Sequence, residues 1–333
     1  MKACQIVENS KYKLLTSPSY NYMFDKRNGN FIRFGGNRDE DPQFSPYGAE
    51  IADIEVSTVC TKGCPFCYKG NTANGKNMSL AKFKRVFDRL PKTLTQIAFG
   101  IGDINGNPDL EEIFKYCRAN GIVPNVTINA HNMTSDQYDM LSKYCGAIAV
   151  SLYDYNDCYS AVYNLAQRGM KQVNIHVMFS HETFERCQRA ISDAINDTRL
   201  VGSLNAIVFL HLKPKGRAEG GAFTIPSDDE FKELVEMALE YGAGFGFDSC
   251  SANKALKVLP PEMHQYVEPC ESTLFSMYIN VDGLAFPCSF AEGHYKGVDI
   301  EKINPWNADE YVDFRKKCLA CNRKCPLYDL GDT

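Results

Sequence analysis

The chain has 333 residues, 44% hydrophobic and 23% charged, with a formal net charge of −5. That is enough apolar material for one large α/β domain with a small appendage. It gives no overall basic field for nucleic acid, although a local basic patch stays open around Lys213, Lys215 and Arg217. No run of about 18 apolar residues suggests a membrane span. The start, Met1-Lys2-Ala3-Cys4-Gln5-Ile6-Val7-Glu8, lacks the apolar segment of a signal peptide, so a cytoplasmic protein is expected. Fourteen cysteines are many for a reducing compartment. Where disulfides are rare, clustered cysteines point to metal.

Residues 1–50 read as a lead-in, with a hairpin in which Tyr22-Met23-Phe24 and Asn30 to Phe34 flank a turn at Asn28-Gly29. A strand–helix alternation begins at Ile51. The first strand runs to Ser57, and Ser79 caps a helix that Pro91 ends. Gln96 to Phe99 is the second strand. Leu110, Ile113, Phe114 and Cys117, three and four apart, form one face of the next helix. The pattern repeats with strands at Asn125–Ile128, Ala147–Leu152, Val173–Phe179, Ala206–Leu212 and Phe245–Asp248. The helices between them start at Ser135, end near Gly169, span 183–196, and open on the capping-box pair Ser227 and Glu230. Six or seven such units imply a parallel sheet with right-handed crossovers, a partial (β/α)6-type barrel over 51–259, with its site at the strand C-termini. Pro260-Pro261 marks a boundary, and 260–333 form a small cysteine-rich region whose hairpin turns at Asp282-Gly283.

The loop after the first strand reads Cys60-Thr61-Lys62-Gly63-Cys64-Pro65-Phe66-Cys67. Spacings of three and two residues let one tight loop aim three sulfurs at one four-iron cluster and leave the fourth iron open. Zinc would want a fourth ligand near by, and this loop has none. CxxxCxxC after a first barrel strand resembles the radical S-adenosylmethionine (radical SAM) superfamily. The resemblance implies a 4Fe-4S cluster on Cys60, Cys64 and Cys67, with SAM on the open iron. Reductive cleavage of SAM to a 5′-deoxyadenosyl radical, which takes hydrogen from substrate, follows from it. It also implies a reductant such as flavodoxin or ferredoxin.

Gly100-Ile101-Gly102-Asp103 after the second strand resembles the family's Gly-Gly-Glu element, which binds the SAM amine, although the glycines are separated and Asp stands for Glu. Thr127, Asn129 and Ser151, at the ends of strands three and four, resemble polar SAM-binding positions, or are surface turn formers. The later cysteines Cys270, Cys288, Cys318, Cys321 and Cys325, the segment Lys213-Pro214-Lys215-Gly216-Arg217-Ala218, and Phe314-Arg315 resemble the SPASM/twitch extension that carries auxiliary iron–sulfur clusters. The count favours one auxiliary 4Fe-4S cluster. Cys270, Cys288, Cys318 and Cys321 are the leading four, with Cys325 able to replace one, and a zinc knuckle is the alternative.

Two more residues end the last strand. Cys250 is a candidate hydrogen-atom donor of epimerase type, Asp248 a candidate general base, and a plain strand end is the competing reading of both. Ser289 after Cys288 stands where sulfatase-maturase-like members place a catalytic Asp, with Glu292 a poor substitute. His176, His181 and His211 read as structural or surface residues, and Cys117 and Cys145 as buried packing thiols. The leading function is oxidation of a residue in a peptide or protein. Alternatives are a small-molecule radical SAM dehydrogenase, a peptide epimerase, and a non-catalytic iron–sulfur or zinc protein.

Overall fold

A computed structural model describes residues 4–35, 42–268, 270–320 and 325–328. Of the cysteines singled out above, Cys321 lies outside the described residues.

The lead-in is a four-stranded antiparallel meander: β1 (Gln5–Glu8), β2 (Tyr12–Thr16), β3 (Asn21–Asp25) and β4 (Phe31–Phe34). The expected hairpin is β3–β4, paired from Phe24↔Phe31 to Asn21↔Phe34. Its turn closes where the Gly29 amide donates to the Asp25 carbonyl at 2.8 Å. Leu15, Tyr22 and Phe24 turn inward onto Leu274, Phe275 and Phe314. Arg33 of β4 donates to the fully buried Glu50 carboxylate at 2.8 Å and also pairs with Glu271.

Next come β5 (Ile51–Glu55), α1 (Leu80–Phe87), β6 (Gln96–Gly100), α2 (Leu110–Ala119), β7 (Val123–Ile128), α3 (Ser135–Tyr144) and β8 (Ile148–Ser151). They are followed by α4 (Tyr155–Gln167), β9 (Val173–Phe179), α5 (Phe184–Asn196), β10 (Ala206–His211), α6 (Asp228–Tyr241) and β11 (Phe245–Phe247). β5 to β11 are parallel neighbours in chain order. Strand residues alternate. Ile175, Val177 and Phe179 of β9 are fully buried in the core with Leu165, Ala190 and Ile191 of the covering helices. Asn174, His176 and Met178 point to the other, half-buried face, which lines the concave interior. The caps follow the sequence signals. Ser79 accepts from the Lys82 amide, and Ser227 with Glu230 forms the expected capping box. α3 starts on a box one residue earlier than anticipated, Thr134 with Gln137.

The sheet does not stop at Pro260-Pro261. After α7 (Ala252–Val258) the hairpin β12 (Ser276–Ile279) and β13 (Leu284–Phe286) returns to the barrel. β12 pairs in parallel with β5, from Ser276↔Ile51 to Ile279↔Ile54. β14 (Val298–Asp299) adds to β13, and α8 (Asp309–Ala320) covers this end. Among the described residues the result is one open ten-stranded sheet with β11 and β14 at its edges. The cysteine-rich hairpin is thus a continuation of the barrel sheet beside its first strand. No described helix is long and apolar enough to cross a membrane.

Candidate active site

β5 delivers Cys60 to the C-terminal end of the sheet. The Cys60 amide donates to the Thr72 carbonyl at 2.9 Å, and the Cys67 amide to the Cys64 carbonyl at 3.2 Å, so the triplet is folded back on itself. All three sulfurs belong to half-buried residues. Burial raises the Cys60 and Cys64 thiols above the ordinary range, and at Cys64 a hydrogen bond from Tyr153 works the other way. Phe66 packs between Tyr153 and Phe223, with ring centroids 5.8 and 5.5 Å away. Tyr68 stacks on Phe290 at 4.4 Å.

The loop after β6 holds this triplet. Asp103 accepts from the Thr61 amide at 2.8 Å and from the Thr61 hydroxyl at 2.7 Å, and Asn129 donates to its other oxygen at 2.8 Å. Partial burial opposes its charge, but those hydrogen bonds outweigh it and hold the carboxyl below the ordinary carboxylate range. The Asp103 amide donates to the Val59 carbonyl at 2.9 Å. A Cβ at Gly102 would lie 2.1 Å from that same carbonyl oxygen and 2.6 Å from the Cys60 Cβ. Gly102, Asp103 and Asn129 therefore brace the cysteine loop, and their polar atoms are committed to protein partners. Gly100 is looser, its Cβ position 3.3 Å from the Glu55 Cα. Thr127 and Ser151 alternate with core residues and face the half-buried concave side.

A second brace comes from the segment after β10. The Arg217 amide donates to the Cys67 carbonyl at 3.1 Å, and its guanidinium to the carbonyls of Cys64, at 2.9 Å, and Asn71. Gly216 allows the approach: a Cβ there would sit 2.4 Å from the Tyr68 carbonyl oxygen. Lys215 donates to the carbonyls of Ser289, Phe290 and Glu292 at 3.2, 2.9 and 2.6 Å. Lys213 is buried and paired with Asp248. The three basic residues that left a nucleic-acid patch open are all turned inward, which corrects that reading.

The C-terminal cysteines gather behind this brace. Cys318 donates to the Cys270 carbonyl, 3.8 Å away, and the two side chains touch. Cys325 contacts Cys250. Asp248 accepts from Lys213 and, at 2.8 Å, from the Ser251 hydroxyl. The carboxylate considered as a general base is thus engaged in a buried ion pair, and the thiol considered as a hydrogen donor lies against another cysteine. Among the described residues no three His, Cys, Asp or Glu side chains are arranged to hold a metal ion. The donor sets nevertheless fit sulfur-rich clusters: three thiols on one braced loop, and a separate thiol-rich group beside a buried cation.

Residues 54–194 match the family model described as "Radical SAM superfamily". The matched segment runs from β5 into α5 and contains the cysteine loop. Its fold is similar to that of SuiB from Streptococcus suis, solved with its precursor peptide SuiA. The TM-score is 0.69 at 14% identity, over 97% of this chain and 98% of that one. SuiB bound to S-adenosylmethionine gives a TM-score of 0.66 at 13% identity, over 95% and 90% of the two chains. anSMEcpe with bound AdoMet and the Cp18Cys peptide gives 0.61 at 13% identity, over 83% and 87%. A search of curated proteins finds no match. The chain therefore shares a partial-barrel fold with these proteins across most of its length.

Beside the cysteine loop, between residues 68–76 and the hairpin, lies a cavity of about 460 Å³ lined by Glu55, Lys69, Lys215, Asn280 and Glu292 among others. Lys69 pairs with Glu55 at 3.2 Å and with Glu292, and donates to the Tyr278 hydroxyl at 2.8 Å. Asn280 donates to Glu292 at 2.7 Å. Burial raises the Glu55 carboxyl, and Lys69 offsets part of that rise. Glu55, Lys69, Tyr278 and Asn280 were not singled out in the sequence, and Glu292 was noted there only as a weak substitute for a catalytic Asp. The available signal was a Glu at the end of β5 and a Lys two residues past Cys67. His176 was read as structural. It faces the concave side opposite Ser151, and burial lowers it to about 4, so its imidazole is neutral at pH 7. His181 is the exposed partner of Glu230, at 2.6 Å, and Cys117 and Cys145 are buried packing thiols, as anticipated.

Proposed function

We propose that this enzyme reductively cleaves S-adenosylmethionine at a cluster held by Cys60, Cys64 and Cys67 and abstracts hydrogen from a residue of a peptide or protein. An auxiliary 4Fe-4S cluster on the C-terminal cysteines takes up the electron from the substrate radical. The observation that carries the reading is the braced cysteine loop at the C-terminal mouth of a polar concave sheet. The peptide-bound state named for SuiB and anSMEcpe supports a peptide as the substrate class.

When bound, the first cluster and SAM supply the electron and the 5′-deoxyadenosyl radical. The chain's residues do the rest. Asp103 and Arg217 fix the loop that aims the three sulfurs. The aromatic walls of Phe66, Tyr68 and Tyr153 limit water around them. Gly100, Thr127 and Ser151 face the space where SAM would lie, and the Glu55–Lys69–Glu292 cavity offers charged groups to a substrate. A flavodoxin or ferredoxin supplies the electron. The regions 1–50, 51–259 and 260–333 act as lead-in, barrel and cluster-bearing extension.

Anaerobic reconstitution tests this. Wild-type protein is expected to hold about eight irons per chain, as two four-iron clusters, and to release 5′-deoxyadenosine with SAM and dithionite. Alanine at Cys60, Cys64 and Cys67 should abolish that release. Alanine at Cys270 and Cys288 should leave abortive cleavage intact and stop product formation. Zinc in place of the second cluster, with no 5′-deoxyadenosine, would overturn the proposal.

A further inference from the structure

Strands β5 to β12 contain no lysine or arginine, and their only acidic residues are Asp53 and Glu55. Both belong to β5. They alternate with Ala52 and Ile54 of the core, so both face the concave interior, about 7 Å apart along the strand. Glu55 is compensated. Its carboxylate lies 3.2 Å from the Lys69 ammonium and accepts from the Val281 amide at 3.4 Å. Asp53 has no hydrogen bond and no ion pair with any described residue. It is flanked by β12 and β6, where Tyr278 and Ala98 are its register partners. Asp53 is nevertheless exposed in mid-sheet, so open space lies in front of it.

The cavity that begins at Glu55 carries the same imbalance. An ammonium has three donors. Those of Lys69 go to Glu55, to Glu292 and, at 2.8 Å, to the Tyr278 hydroxyl. Lys215 directs its donors to the carbonyls of Ser289, Phe290 and Glu292, and Lys76 pairs with Asp282 at 3.1 Å. The carboxylates of Glu55 and Glu292 therefore share one cation and keep spare acceptor capacity. Asp248, just after β11, is matched by Lys213, and the neutral His176 adds no charge. Among the described residues the interior has fixed negative charge and no free cation. An enclosed carboxylate without a partner is costly, and the surrounding walls, with Glu271 near by, raise Asp53 to about 7. A bound cation reverses that rise.

We propose that the barrel interior takes a cationic group of the substrate, an ammonium or guanidinium, with Asp53 as its ion partner and as the residue that sets this preference. This deepens the peptide reading above and rests on it. A purely structural role would give Asp53 a partner in the fold, and it has none among the described residues.

The test is equilibrium binding of four short peptides to the reconstituted enzyme, measured by isothermal titration calorimetry. Three are acetylated and amidated: glycine–lysine–glycine, glycine–arginine–glycine, and the uncharged glycine–norleucine–glycine. The fourth is glycine–norleucine–glycine amide with a free terminal amine. At least one cationic probe is expected to bind roughly tenfold tighter than the uncharged one, the scale of one hydrogen bond to a charged group. Which probe does so separates a side-chain cation from a terminal amine. Asp53→Asn should erase that margin, with Asp53→Ser as a second neutral variant, and Asp53→Glu should restore part of it. Far-ultraviolet circular dichroism checks that each variant folds. A margin that survives both neutral variants overturns the proposal. Equal binding of charged and uncharged probes overturns the cation preference alone, whereas no binding of any probe removes the peptide reading with it. Release of 5′-deoxyadenosine without peptide is measured separately. Its absence in the wild type sinks the radical SAM reading, and its presence beside a missing cation preference sinks only this proposal.

Discussion

Gly102 shows how little room the first cysteine has. An added methyl would meet the Val59 carbonyl oxygen at 2.1 Å and the Cys60 Cβ at 2.6 Å, both rigid neighbours. Gly102→Ala is therefore predicted to push the cysteine loop off its brace. Iron retained by the Cys60–Cys64–Cys67 site should fall severalfold, read by iron analysis and visible absorbance, while the barrel keeps its far-ultraviolet spectrum. Full iron retention would show that the loop can shift at no cost. At this scale the sequence was only half legible. CxxxCxxC pointed to iron–sulfur chemistry through residue type and spacing. Gly102, Asp103 and Asn129 declared only that they were small or polar near a strand end. Such residues can serve a ligand or a neighbouring loop equally well, and here they meet the loop carrying Cys60.

Among elements, the segment Lys213–Ala218 has the largest share of the site's geometry, although it forms only a short 3-10 turn from Gly216. Arg217 reaches two carbonyls of the cysteine loop with two nitrogens of one planar fork. Lysine offers a single ammonium and cannot reproduce that pairing. Arg217→Lys is predicted to loosen the loop, with several-fold faster loss of iron to a chelator and little change in melting temperature; an unchanged chelation rate would remove the bracing role. The main barrel elements were readable because helical periodicity, caps and alternating strands agreed with one another. β1, β14 and α8 were not. β1 is mostly exposed and β14 spans two residues, so neither carries a pattern. α8 buries Arg315 beside Tyr311, Phe314 and Cys318, which breaks the apolar stripe. That guanidinium donates to the Thr273 carbonyl at 2.7 Å and the Trp306 carbonyl at 3.1 Å, partners far away in sequence or not recognisable in it.

Across the whole molecule, the pairing of β12 with β5 decides what can fold alone. Pro260-Pro261 looked like the edge of a domain, and a proline pair is a local signal. The register Ser276↔Ile51 to Ile279↔Ile54 is a long-range one that no local pattern encodes. A fragment ending at residue 259 would expose the backbone edge of β5 and uncover Leu15, Tyr22 and Phe24 of the meander, which pack on Leu274, Phe275 and Phe314. We predict that it aggregates or melts without cooperativity, because an open parallel edge and an uncovered apolar face are both unstable in water. A monomeric fragment with a sharp thermal transition would contradict this.

The segment Lys213–Ala218 also acts as a ruler. Arg217 grips the loop of Cys60, Cys64 and Cys67, and two residues away Lys215 grips the carbonyls just after Cys288. The spacing between the two sulfur centres is thereby set within six residues, independently of how long the intervening 220-odd residues are. Insertions in distant loops could lengthen the chain without changing the distance between the two cysteine groups.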